Sequence, residues 1–237
     1  MKIIKVTWYI VKLMSFILLS FFYFIVAGFV RIFNRWKAVG IMQNCLHLYF
    51  RIFGLEFNFY FQEEKTKTAK NTVFVLLNQS SFLDSMITPT LPVYRTSGII
   101  NIEFALYPVI GWFLAITGFV IVRQWSSQAK RTLNRTDKFL KSGGNMLISI
   151  EGKRTKDGKL NAYKKGAVVM AINSQSDIVP VIIEGTYASL PYKSLMTKPG
   201  NINVKLLESI STAGMTYNDR NLLLTKLRSI AHQNGLK

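Results

Sequence analysis

The sequence predicts an α/β domain with a largely parallel sheet flanked by helices, preceded by N-terminal membrane-associated helices. Three observations carry this. Short apolar runs at 72–78, 118–123, 145–150 and 177–187 alternate with stretches of helical spacing. A run of 18 residues without a charge, 13–30, lies near the N-terminus. The chain of 237 residues has a formal charge of +18, yet 49% of its residues are apolar.

In chain order, the charge-free run comes first. At ~1.5 Å per residue it reaches roughly 27 Å, close to the ~30 Å of a hydrocarbon core. Extending it back to Val6 adds Lys12, whose long stem suits snorkelling. The run is long for a signal peptide and no small-residue cleavage site follows, so the segment reads as a retained membrane element. Lys2, Lys5 and Lys12 precede it; Arg31, Arg35 and Lys37 follow. Basic flanks on both sides fit one spanning helix, and they also fit a segment that dips into one leaflet and returns. Residues 38–61, dense in aromatics, read as a membrane-surface helix leading into a strand, with His47 as a packed or interfacial residue. The expected organisation is an anchoring segment over 1–54 and an α/β domain over 55–237.

The polar stretch 63–71 reads as a loop. Strands follow at 72–78 and 118–123. A helix spans 127–144, with Ser127 as a cap and glycines at its end. Then come a strand at 145–150, a helix at 164–175, strands at 177–187 and 202–210, and a closing amphipathic helix at 216–233. The apolar stretch 105–118 fits either an acyl-chain groove or plain core.

Thirty Lys and Arg against 12 Asp and Glu call for a polyanionic partner. The apolar composition favours an anionic membrane over nucleic acid, and no helix-turn-helix, zinc or aromatic-platform motif supports the latter. The single cysteine, Cys45, excludes an intramolecular disulfide framework and fits a reducing compartment.

Two polar clusters follow strands. The first is Asn78, Gln79, Ser80, Ser81 and Asp84, placed where open α/β sheets put their sites. The spacing brings positions 79 and 84 together across a helix start. A histidine at 79 held by Asp84 would deprotonate a hydroxyl; Gln79 hydrogen-bonds but takes no proton near neutral pH. The second is Glu151, Gly152, Lys153 and Arg154, opening a loop that also holds Lys156, Lys159, Lys164 and Lys165. Gly152 permits close backbone approach, and Arg154 with backbone amides suits a phosphate.

These segments, in this order, resemble the glycerolipid acyltransferase family, best known for 1-acyl-sn-glycerol-3-phosphate acyltransferases. The resemblance covers roughly residues 55–210. Asn78 to Asp84 resembles the block Asn-His-x-Ser-x-x-Asp. Residues 118–123 resemble the second block, with Gly118 and Arg123 in register, led in by Glu103, Pro108 and Gly111. Glu151, Gly152 and Arg154 match Glu-Gly-Thr-Arg-Ser, and Pro180 stands at the proline of the fourth block. The resemblance implies the glycerolphosphate acyltransferase-like fold and transfer of an acyl chain from acyl-CoA or acyl carrier protein to the free hydroxyl of lysophosphatidate. It implies no metal or other cofactor, and an active site facing the cytoplasm at a membrane. It assigns catalysis to position 79 with Asp84, and substrate binding to Asn78, Ser81, Arg123, Glu151, Gly152, Lys153 and Arg154. Arg123 and Arg154 would hold the acceptor's phosphate.

Four departures stand against the family pattern. Gln79 replaces the histidine, Asn101 a frequent lysine, Lys153 a threonine, and Ser149–Ile150 the usual Phe-Pro. Loss of a general base typically costs ~10²–10⁴ in rate. Three readings of Gln79 stay open at this level: an acyltransferase disabled at one residue, a non-catalytic relative that binds lysophospholipid or acyl-CoA, or replacement of the base by His47 or His232.

Overall fold

The computed structural model describes residues 2–98, 106–107, 109–117 and 126–237. Helix α1 (Lys2–Phe33) is longer than the charge-free run, because the flanking lysines continue the helix without breaking it. Asn34 ends it and caps α2 (Arg35–Ile52): its backbone is extended, and its side-chain oxygen accepts the amides of Trp36 and Lys37, both at 3.0 Å. The two helices pack as an antiparallel hairpin. Phe16 meets Tyr49 edge-on at 5.0 Å, and Tyr9 meets Phe53 at 5.1 Å. Lys12 is tied to the hairpin, donating to the Ile52 carbonyl at 3.2 Å, where a helix C-terminus favours a cation.

Six strands form one sheet: β1 (Leu55–Phe61), β2 (Thr72–Leu76), β3 (Thr96–Gly98), β4 (Asn145–Ser149), β5 (Asp177–Glu184) and β6 (Gly200–Leu206), in the order β1-β6-β5-β2-β4-β3. Every pairing is parallel except β5 with β6. The helices that complete the fold are α3 (Phe82–Ile87), α4 (Ile110–Thr117), α5 (Ser126–Lys141), α6 (Gly166–Ser174), α7 (Thr186–Ser189) and α8 (Arg220–Gln233). The expected largely parallel α/β architecture is therefore present. The expected strand 118–123 lies outside the described residues.

Alternation along the buried strands gives the sheet two apolar faces. Phe74, Leu76, Val179 and Val181 pack on the side of α2, α3 and α4; Val73, Val75, Met146 and Ile182 pack on the side of α6 and α8. Helix α2 belongs to the first layer through Met42, Leu46 and Phe50. Within 105–118, Val109, Ile110, Phe113 and Ile116 are core, and Trp112 stacks on Phe24 of α1 at 5.7 Å. The outward face of α1 is apolar, with Trp8, Met14, Leu18, Phe22, Phe29 and Ile32 exposed. Its stretch Val6–Phe33 is long and apolar enough to cross a membrane by length and composition.

Parallel pairing brings the carboxyl ends of β2, β4 and β5 to one edge. The turn from α2 into β1 reaches the same edge, since Leu55 pairs with Gly200 and Thr197 joins both hairpin tyrosines.

Candidate active site at the carboxyl edge of the sheet

Three residues beyond the end of β2, Gln79 leaves the sheet. Just before it, Asn78 is buried and wholly used by β5: its amide donates to the Ile183 carbonyl at 2.6 Å and its oxygen accepts the Ile183 amide at 3.0 Å. Ser81 caps α3, accepting from the Leu83 amide and donating to the Leu190 carbonyl at 2.8 Å. Ser80 shares a hydrogen bond with the Thr186 hydroxyl at 2.9 Å. One oxygen of Asp84, Oδ2, accepts the Ser80 and Ser81 amides at 2.7 and 2.8 Å. The Asp84 carboxylate therefore closes the turn that carries Gln79. Its other oxygen, Oδ1, is buried and receives no direct hydrogen bond among the described residues.

Asp84 is 1% exposed, and burial pushes its carboxyl up to about 6. The Ser81 amide, the Thr186 hydroxyl and the Ser80 amide pull the other way, while the charge of Glu151 raises it further. The carboxylates of the two clusters thus lie close enough to feel one another.

The second cluster follows β4. Leu76 is the register partner of Ser149, so the chains leaving β2 and β4 run side by side. The Thr155 amide donates to the Gln79 carbonyl at 2.8 Å, stitching the loops together. Gly152 has φ +65°, a conformation that favours glycine, and its amide points back to Ser149 Oγ at 3.4 Å. Glu151 is buried, with Asn161 Nδ2 on its Oε2 at 2.6 Å. Burial raises its pKa; Asn161, the Gln79 backbone and the charge of Arg228 oppose that rise. Lys153 is exposed and its carbonyl accepts from Asn161.

Arg154 turns back over the first cluster. Its guanidinium lies 5.7 Å from the centre of the Phe82 ring, two residues before Asp84, and 5.7 Å from that of Tyr192. Among the described residues no carboxylate pairs with it. Aromatic walls hold its orientation and leave its fork of N–H donors available, a geometry suited to an oxyanion such as a phosphate.

Gln79 does not bond to Asp84 among the described residues. Its Oε1 instead accepts the Ser149 hydroxyl at 2.9 Å. Arg123 lies outside the described residues. His232 is exposed on α8, where its Nε2 accepts from Arg228 and its Nδ1 meets the Leu236 carbonyl; His47 sits half-buried on α2 against Phe50. Among the described residues no cluster of three His, Cys, Asp or Glu side chains could hold a metal.

Several contributing residues carried no sequence signal of their own. Asn161 and Tyr163 belong to the basic loop, and Tyr163 donates to the Leu77 carbonyl at 2.9 Å. Arg228 of α8 donates to the Asn161 carbonyl at 2.7 Å and covers the Tyr163 ring at 4.8 Å. Polar residues at 161 and 163 within a lysine-rich loop were the one available hint.

The chain has relatives among known proteins. Residues 58–184, more than half of the chain, match the family model described as Acyltransferase, and the chain belongs to that family. It is 28% identical over 151 residues to a 1-acyl-sn-glycerol-3-phosphate acyltransferase of Limnanthes douglasii, covering 63% of this chain and 53% of that one. It is 31% identical over 130 residues to the chloroplastic LPAT1 enzyme of that name from Arabidopsis thaliana, covering 54% and 36%. The human beta form is 29% identical over 147 residues, covering 61% and 53%. The matched stretches span about half or less of these relatives. The crystal structure of the 1-acyl-sn-glycerophosphate acyltransferase PlsC from Thermotoga maritima shares the fold, with a TM-score of 0.75 at 20% identity over 99% of this chain and 96% of that one.

Proposed function

We propose that this chain is a membrane-bound O-acyltransferase of the 1-acylglycerol-3-phosphate type, impaired in its chemical step by Gln79. Its substrates on this reading are lysophosphatidate and an acyl thioester, carried by CoA or acyl carrier protein. The observation that carries it is the placement of Arg154, walled by Phe82 and Tyr192, beside the turn that holds Gln79 and Asp84. A phosphate on Arg154 would bring the glycerol hydroxyl of the same lipid toward Gln79.

In the reaction, that hydroxyl oxygen attacks the thioester carbonyl carbon. A carbon–oxygen bond forms, the carbon–sulfur bond breaks, and the proton ends on the departing thiolate. An amide accepts no proton near neutral pH, so the transfer relies on proximity of the two reactants. Asp84 and Glu151 hold the two loops in register, and Arg123 would add to the phosphate site.

The segment 1–54 acts as the anchor and 55–237 as the acyltransferase domain. Support for the anchor comes from the apolar outward face of α1, whose hairpin meets the sheet at the edge that carries the site. The exposed lysines of the 153–165 loop would attract anionic lipid, each by up to ~1 kcal/mol, on the cytoplasmic face where the thioester donors reside. A second reading, a non-catalytic lysophospholipid or acyl-CoA binder, is favoured by the Ser149 bond that holds Gln79 in place.

The test is acyl transfer from radiolabelled acyl-CoA to lysophosphatidate by the parent protein and by Gln79→His. A gain of roughly 10²-fold or more supports the impaired enzyme. No gain, with lysophosphatidate still bound, supports the binder.

A further inference from the structure

Two of the departures from the family pattern touch each other. Gln79 and Ser149 are 70 positions apart, and the Ser149 hydroxyl donates to Gln79 Oε1 at 2.9 Å. The same hydroxyl lies 3.4 Å from the Gly152 amide as its acceptor. A directional chain therefore runs from the Gly152 N–H, through Ser149, to the amide oxygen of Gln79. Fixing that oxygen fixes the amide plane, and Nε2, with two N–H groups, takes the opposite side. No hydrogen bond from Nε2 occurs within the described residues. An isolated histidine-to-glutamine exchange would not bring such a partner with it.

We propose that Ser149 is a positioning residue for the lipid site: it locks Gln79 so that Nε2 donates to the free hydroxyl oxygen of a lysophosphatidate-class lipid. The site thereby grips the oxygen without removing its proton. An imidazole would present a lone pair to that hydroxyl; the clamped amide presents hydrogens. Gln79 on this account is a built feature of the site, matched by the residue that faces it across the sheet. The inference rests on the reading above that the site receives lysophosphatidate, and it extends that reading to Ser149.

The experiment is equilibrium binding of radiolabelled lysophosphatidate, and of its deoxy analogue lacking the free hydroxyl, in detergent micelles. The proteins are the parent, Ser149→Ala, Ser149→Thr, Gln79→Ala and the double Gln79→Ala/Ser149→Ala. Ser149→Ala is expected to weaken lysophosphatidate binding roughly 5–10-fold and Ser149→Thr to restore it, the scale of one oriented hydrogen bond. The deoxy analogue should bind the parent and Ser149→Ala alike. In the Gln79→Ala background, removal of the Ser149 hydroxyl should change binding less than about twofold. Equal weakening for both lipids, an unchanged Ser149→Ala, or a Ser149 effect that persists without Gln79 overturns the proposal while leaving the lipid site standing. Failure of the parent to bind lysophosphatidate overturns both.

Discussion

Compare the loop that leaves β2 with the loop that leaves β4. In the first, Asn78, Ser80, Ser81 and one oxygen of Asp84 are spent on holding protein to protein. In the second, Glu151 is held through Asn161, while Arg154 rests between two rings with its donors uncommitted. A polar cluster in sequence is thus two populations in space: groups that build the edge and groups left to meet a ligand. Substitution separates them, because a builder costs stability and a ligand-facing group does not.

Asp84→Ala is the harshest test. It strands two buried amides and should cost about 3–4 kcal/mol of stability, read as a lower urea midpoint. Its titration gives a second measurement. The folded carboxyl is raised to about 6 from an ordinary 3.8, so its contribution to stability is full below about pH 4 and is lost as pH rises through 6. Glu151, also raised, acts with the same sign. Asp84→Asn should flatten the fall in Tm across that window; a slope unchanged in Asp84→Asn would assign it elsewhere.

Asn78→Ala comes next, at about 2–3 kcal/mol, for two lost bonds to Ile183 in a buried place. Asn161→Ala should cost about 1–2 kcal/mol, since it leaves Glu151 buried with weaker support, and faster hydrogen exchange at the Thr155 amide would report the loosened loop. Arg154→Ala should cost no more than about 0.5 kcal/mol in folding yet weaken retention of lysophosphatidate roughly 10–100-fold. If Arg154→Ala instead destabilises the protein like Asn78→Ala, the division between the loops is wrong.

Much of the architecture was legible because its signals are local. The apolar run 72–78, the helical spacing of α5 and the amphipathic α8 need only neighbours in sequence, whereas Ser127, expected as a cap, falls inside α5, which begins at Ser126. The three residues of β3 are too few for a period to register, and α4 is apolar all round, so its face had to be settled by packing against α1 and α2. At the site, residue types marked Asp84, Glu151 and Arg154. What sequence could not give was the use of each side chain. That Ser149 meets Gln79 follows from the pairing of Leu76 with Ser149, and that Arg228 braces Asn161 follows from where α8 docks; both are set by long-range packing.

Among the described residues the edge strand β1 has one partner, β6, and their asparagines 58 and 203 are joined across 145 positions. On a growing chain, the helical hairpin and the strand behind it emerge well before the strand that will fasten them, whose Asn203 follows Asn58 by 145 positions. Throughout that interval β1 lacks β6, and the hairpin relies on the packing of α1 and α2 on each other, on α4 and on the first apolar face of the sheet. Cutting the chain before residue 200 would therefore leave β1 an unpaired ribbon between a hairpin and a domain that still meet through the apolar face of α2.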